Sequence, residues 1–356
     1  YRSCEEFVCY DSALVAAFDQ AVQDSIVDVL NYSITGGVEP WNDPVSLAML
    51  SATEAGIFIA TAAANGEPYA GSAHHLEPWT TTVAAGTHTG AFSVHLASLT
   101  DADVGPWYLF PNAESKRADA GLVTLAKRSP NYDSGKDGCE PYPANTFDGA
   151  MAVIKVSYQC PDHEIGNNAI AAGAESILYV NNQPIWYPIN AIAPIPLFSA
   201  ANSADALADY LAQHPGESVD ISAVFRADEQ PDVLAFFSLL GPAPFDVVKP
   251  DVQAPGQHIL AAVANNGSLE GPNALAMYNG TSMASPHAAG AAALVRNAHP
   301  EWRPSEVKSA LMMTARRSGL RKPDSQTFSD PFDRGAGRIR ADLAVKASLV
   351  LDESGL

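Results

Sequence analysis

The chain has 356 residues, 47% of them hydrophobic, with 40 acidic against 20 basic residues and a net charge of −20 at pH 7. That length is enough for two domains with sizeable cores. The charge disfavours nucleic acid and anionic membrane surfaces as partners, and no run of 18 apolar residues is present to predict a membrane span. The chain opens Tyr1-Arg2-Ser3-Cys4, without Met or a signal-peptide pattern, and reads as a processed end or an excerpt of a longer precursor. Its four cysteines, Cys4, Cys9, Cys139 and Cys160, allow three pairings. The sequence-local pairs Cys4–Cys9 and Cys139–Cys160 are favoured, with buried free thiols as the alternative. No Cys-x-x-Cys spacing argues for zinc.

From Ser12 to Asp24, Leu14, Val15, Phe18 and Val22 recur at helical spacing, and Ser12 is placed to cap the start. Val27 to Ile34 reads as a buried strand ending at Thr35-Gly36-Gly37. A helix over Pro44–Ala55 and a strand over Gly56–Thr61 follow. Helices alternating with apolar strands predict an α/β fold, a mostly parallel sheet with helices on both faces. Ligands of such sheets bind beyond the carboxyl ends of the strands, here the loops at 33–37 and 62–68. In the second loop Asn65-Gly66 is, by itself, a common turn pair.

Between Asp101 and Asp220 the texture changes: Pro, Asn and Asp are frequent, and Cys139 and Cys160 both fall here. Strands are expected over 149–158, 174–182 and 195–199, and helices over 163–172 and 201–213. Apolar segments then resume at Phe236–Pro242, Lys249–Gly256 and Ile259–Ala262, and Pro304 to Glu306 carry helix start signals.

The most informative stretch is Asn279 to Val295. It is almost all small and apolar from Met283 on, which predicts a helix buried all round. Pro286 confines the start to about Ser282 or Met283, because proline is tolerated where donors have no intrahelical partner. Gly280 and Thr281 would make the turn into it. Ser282 then sits at the positive end of the helix dipole, as an N-cap or as a nucleophile beside N–H groups that can hold an oxyanion.

Gly280-Thr281-Ser282-Met283-Ala284-Ser285-Pro286-His287, followed by Ala288-Ala289-Gly290, resembles the serine motif of the subtilisin-like serine proteases, the subtilases. The resemblance implies the subtilisin-like α/β fold, peptide-bond hydrolysis through an acyl-enzyme on Ser282, and a merely structural place for His287. It makes Asn65 the oxyanion donor, a role suited to an amide that neither carries charge nor titrates. The small-residue run Ala62-Ala63-Ala64 becomes part of the substrate site. Ala64 stands where relatives usually have Gly, and its methyl would narrow the primary specificity pocket. Ser33-Ile34-Thr35 matches the segment that pairs with substrate backbone as an added strand, with Thr35 in place of a usual Gly. Phe236–Pro242, Lys249–Gly256, and Asp330–Asp333 with Gly335-Ala336-Gly337 match further family segments.

Residues 101–220, notably Gly173-Ala174-Glu175-Ser176-Ile177-Leu178-Tyr179-Val180-Asn181-Asn182, resemble the protease-associated domain inserted in larger subtilases. They divide the chain into a catalytic domain, 1–100 with 221–356, and an α+β insert. Polypeptide substrates and a secreted, extracellular setting are implied. No cofactor is expected; relatives often bind structural calcium, but no Asp-rich loop here has a recognisable spacing.

A serine protease also needs a base and a carboxylate to orient it. The family order is Asp, His, Ser, so both motifs would lie upstream of Tyr1, in an N-terminal segment or propeptide partner. Asp133-Ser134-Gly135 and Gly86-Thr87-His88-Thr89-Gly90 echo those motifs but read as a turn and a loop, as do His74 and His75. The alternative is a non-catalytic subtilase-like binding or regulatory chain that has lost its triad. An α/β-hydrolase esterase is disfavoured because Gly280-Thr281-Ser282-Met283-Ala284 lacks the final Gly of Gly-x-Ser-x-Gly.

Overall fold

The structure is a computed structural model that describes residues 3–5, 8–89, 94–101, 105–111, 122–124, 138–149, 151–155, 160, 162–180, 197–200, 218–221, 225–227, 230–244, 247–262 and 275–351. The expected helix over 201–213 and the Asp133-Ser134-Gly135 turn lie outside these residues. The chain separates into two compact units. One holds Tyr1–Thr89, Gln230–Ile259 and Tyr278–Leu356; the other holds Gly90–Glu229 and Leu260–Met277.

The first unit opens with a short antiparallel pair, β1 (Cys4–Glu5) and β2 (Val8–Cys9), closed by the Cys4–Cys9 disulfide. Helix α1 (Asp11–Asp24), strand β3 (Val29–Tyr32), helix α2 (Pro44–Glu54), β4 (Phe58–Ala62) and β5 (Thr81–Gly86) follow. Ser12 does not cap α1: the cap position is Tyr10, with no side-chain bond, and Ser12 is already helical. Helix α2 has a true cap, since Asp43 accepts from the Val45 N–H at 3.1 Å and Pro44 occupies the first turn, where its missing donor costs nothing.

The second unit carries β6 (Val94–Asp101), β7 (Gly105–Pro111), β8 (Leu122–Thr124), β9 (Met151–Lys155), helix α3 (Asp162–Ala171), β10 (Ser176–Val180), β11 (Leu197–Ala200), β12 (Ser218–Ile221) and β13 (Phe225–Ala227). Its sheet is mixed, in the order β8-β12-β6-β7-β11-β10-β9, with β13 also on β6. Only β9, β10 and β11 run parallel. Ile154, Ile165, Ala169 and Ile177 are at the centre of its core, and Cys139 and Cys160, joined by a disulfide, pack against it.

Back in the first unit, β14 (Val252–Pro255) completes a four-stranded parallel sheet ordered β14-β5-β4-β3. Strands β15 (Ile259–Ala262) and β16 (Leu275–Tyr278), nearly all of whose residues fall in the second unit, pair with each other; in the first unit helices α4 (Thr281–Ala298) and α5 (Pro304–Met313) follow. The parallel sheet with helices on both faces is the α/β architecture expected. Leu14 and Phe18 of α1, Val45, Met49 and Ala52 of α2, and Ile57 and Ile59 at β4 bury one another. Side chains alternate along a strand, so Phe58, Ala60 and Ala62 turn to the opposite face, where α4 packs across β3, β4, β5 and β14. Thr281, Ala284, Ser285, Ala288, Ala289, Ala291, Ala292 and Val295 are the buried residues of that helix. Small side chains on both partners let helix and sheet approach closely.

Helix α4 corrects two expectations. It is buried on one face only: Pro286, His287, Gly290, Ala293 and Leu294 are exposed. An alanine-rich run does not demand burial, because alanine is the best helix former and exposes little apolar surface. The helix also starts at Thr281, which makes Pro286 its sixth residue, just past the donor-free first turn.

Candidate active site

Ser282, half-buried, is the second residue of α4. Gly280 before it has φ +157°, a backbone conformation that L side chains rarely adopt, and its N–H donates to the Gly256 carbonyl at 2.8 Å. That bond ties the mouth of α4 to the end of β14. Pro286 cannot supply the usual i to i−4 donor to the Ser282 carbonyl. The Ser33 hydroxyl supplies it instead, donating to Ser282 O at 2.9 Å, while the Ser282 hydroxyl donates to the Ser33 carbonyl at 3.2 Å. Ser33 is itself held by Asn31, whose amide donates to its hydroxyl at 3.0 Å and accepts from Ser285 Oγ at 2.7 Å. An orphan carbonyl made by a proline is thus satisfied by the segment beyond the end of β3.

Asn65, also half-buried, lies just past β4. Its Oδ1 accepts from both the backbone N–H and the hydroxyl of Thr281, at 2.8 and 2.9 Å. This anchors the amide on the residue next to Ser282 and leaves Nδ2 as its remaining donor, 3.5 Å from where a Cβ on Gly280 would sit. That amide, the Ser282 N–H and the Ser282 hydroxyl therefore share one helix mouth. Thr281 is the residue sequence reasoning missed here: it was assigned to the turn, yet it is the anchor for Asn65.

Ala62, Ala63 and Ala64 are all buried. Ala64 has φ +73°, the left-handed region in which a side chain costs ~1–2 kcal/mol and which explains why a glycine would be natural there. Ile34 is half-buried and Thr35 exposed. His287 binds the Met283 carbonyl of its own helix at 2.8 Å, and His88 sits in a loop with Nε2 3.4 Å from the His258 carbonyl.

Two buried charge clusters support the loops around the site. Asp251, just before β14, accepts from Lys249 Nζ and the Thr82 N–H, both at 2.7 Å, and pairs with Lys308 Nζ at 2.9 Å. Burial works against its ionisation, but the two ammoniums hold its carboxyl below the ordinary range. Burial pushes Lys249 down to about 8 despite Asp251. Glu77, buried, lies 3.2 Å from His75 Nδ1 and 2.7 Å from Ser46 Oγ. Burial would raise its pKa, but the bonds from His75 and Ser46 and the charges of His75 and Lys249 keep it low. Nothing in the spacing of these residues along the chain announced either cluster. Among the described residues no three His, Cys, Asp or Glu side chains gather as a metal site would require, and no helix is long and apolar enough to cross a membrane.

A family model described as the subtilase family matches residues 1–337. The subtilisin-like protease SBT1.6 of Arabidopsis thaliana is 31% identical over 381 residues, covering 99% of this chain and 49% of its own length. A CO(2)-response secreted protease of the same plant is 28% identical over 393 residues, covering 99% of this chain and 48% of its own. The chain spans about half the length of the curated relatives it matches. Among solved structures, the psychrophilic subtilisin-like protease Apa1 of the Antarctic psychrotroph Pseudoalteromonas sp. AS-11 is 20% identical, covers 98% of this chain and 76% of its own, and has a TM-score of 0.38, too low to bear on the fold.

Proposed function

The chain belongs to the subtilase family, and from that premise we propose that it is the part of a serine endopeptidase that carries the nucleophile, the oxyanion donor and the substrate strand. Ser282 Oγ attacks the peptide carbonyl, and the Ser282 N–H and Asn65 Nδ2 hold the oxyanion that forms. The Asp and His that complete the triad come from a segment upstream of this chain. The observation that carries the reading is the Asn65 amide anchored on Thr281, next to Ser282. A binding chain without chemistry has no use for an amide anchored at that helix mouth.

Ser33, Ile34 and Thr35 bind the substrate backbone, and Ala62, Ala63 and Ala64 line the primary specificity pocket. The second compact unit, expected over 101–220, is a protease-associated domain; its mixed sheet and disulfide are compatible with that reading. Polypeptides are the substrates. The two disulfides and a relative named as a secreted protease favour a secreted protein.

A fluorophosphonate probe on the natural full-length protein tests the proposal. Stoichiometric labelling at Ser282, abolished by Ser282→Ala, supports it; folded protein that does not label overturns it. This chain alone should show little or no turnover, because on this reading the base belongs to the upstream segment. Peptide cleavage by the chain alone that Ser282→Ala abolishes would refute that.

A further inference from the structure

We propose that the buried His75–Glu77 pair is a positioning device for the substrate strand, fixing the alignment of Ser33-Ile34-Thr35 relative to Ser282. The inference rests on the reading above that residues 33–35 receive a peptide backbone.

Residues 75 and 76 hold that segment from behind. His75 Nε2 lies 2.7 Å from the Ile34 carbonyl, the His75 N–H donates to Gly36 O at 2.9 Å, and the Leu76 N–H donates to Gly37 O at 2.9 Å. The Ile34 and Gly36 carbonyls both meet His75, whereas Ser33 O is the acceptor of the Ser282 hydroxyl and Thr35 is exposed. A substrate backbone would have to pair with groups of this segment that His75 and Leu76 do not already hold.

The His75 ring is fixed in turn. A carbonyl only accepts, so Nε2 carries a proton and donates to Ile34 O. Nδ1 faces Glu77 Oε1 at 3.2 Å, and the edge of the ring meets the Tyr32 ring at 5.4 Å between centroids. The Glu77 carboxylate also reaches Ser46 Oγ in the first turn of α2 and packs against the backbone of Gly37, where an added Cβ would come within 2.1 Å of Oε1. His75 and Glu77 are 1% and 0% exposed. His75 holds φ +53°, a left-handed backbone without the excuse of being glycine; such strain persists only where the surroundings over-determine it. An ordinary loop histidine needs neither a buried carboxylate nor a strained backbone. A histidine whose task is to aim one carbonyl is served by both.

The test uses the natural full-length protein with His75→Phe, which removes both ring nitrogens, and Glu77→Gln, which keeps the shape and removes the charge. The readouts are the melting temperature, the rate of Ser282 labelling by a small fluorophosphonate, and KM and kcat for an extended peptide against a single-residue ester. The expected result is a rise in KM of roughly tenfold for the extended peptide in His75→Phe, the equivalent of one lost hydrogen bond. Labelling, kcat and ester hydrolysis should stay within about twofold of wild type, and Glu77→Gln should shift the same KM by a smaller factor. An unchanged KM in folded variants overturns the proposal, as does a loss shared equally by labelling, ester and peptide, which is the mark of a purely structural pair. If His75→Phe does not fold, Glu77→Gln decides alone. A wild-type protein that fails to label at Ser282 overturns the endopeptidase reading and this inference with it.

Discussion

Replacing Asp251 with asparagine should be among the most damaging single changes in the first unit. The carboxylate is 3% exposed and is the counter-charge for two ammoniums, Lys249 and Lys308, themselves 1% and 4% exposed. Its two oxygens take Lys249 Nζ and the Thr82 N–H on one side and Lys308 Nζ on the other. Asparagine keeps one acceptor but turns an NH2 group toward an ammonium. The lysines would be left with the Thr80 and Pro78 carbonyls and the Thr82 hydroxyl, which bear no charge. Removing one partner of a buried pair costs about 3–5 kcal/mol, against a total stability of about 5–15 kcal/mol. Lys308→Met is the control: it leaves the Lys249–Asp251 pair balanced and should cost about 1–2 kcal/mol, the value of the lost hydrogen bonds. Urea unfolding at neutral pH measures both. The penalty of Asp251→Asn should shrink in alkali. Lys249 already has a folded pKa near 8, below its unfolded 10.5, so between those values the unfolded state binds more protons and stability rises with pH. If Asp251→Asn costs no more than Lys308→Met, the carboxylate is not the charge that holds this cluster and the reasoning fails.

Acid should act through the carboxylates, and there too stability rises with pH. Asp251 and Glu77 have folded pKa values below the ordinary 3.8 and 4.5, so the stability they contribute is complete above those values and is lost as pH falls through the lower folded ones. A pH titration of the urea midpoint should be flat down to about pH 4.5 and fall below it, less steeply in Glu77→Gln. Gly335→Ala should cost at least ~2 kcal/mol: φ is +61° and the new Cβ would lie 2.1 Å from the Asp251 carbonyl oxygen. Cys139→Ser with Cys160→Ser opens a loop of sequence separation 21 and should cost the second unit about 3 kcal/mol by chain entropy, read from its own thermal transition. Pro286→Ala should stabilise α4 by roughly 1–3 kcal/mol in thermal melts, because the new N–H can bond Ser282 O directly; no gain would mean that Ser33 already satisfies that carbonyl in full.

Much of this protein was legible in its residues alone. Helix and strand periods located α1, α2, β3 and β4 to within about two residues, because an amphipathic face repeats locally. The serine string marked a helix mouth, and the nearness of Cys4 to Cys9 and of Cys139 to Cys160 anticipated both disulfides. The failures have one cause. Ser12 was taken for a cap because the type of a residue is visible and the angle at which the chain enters the helix is not. Helix α4 was taken for a fully buried one because composition says how much surface can be hidden, not which neighbours hide it. Thr281 as the anchor of Asn65, Ser33 as the partner of a carbonyl that Pro286 leaves bare, Glu77 behind His75, and Asp251 between two lysines all join residues far apart in the chain or placed by a turn. Local chemistry determined the elements and the nucleophile's address; only the closing of the parallel sheet against α4 decided which groups meet there, since a hydrogen bond depends on distances that chain order does not encode.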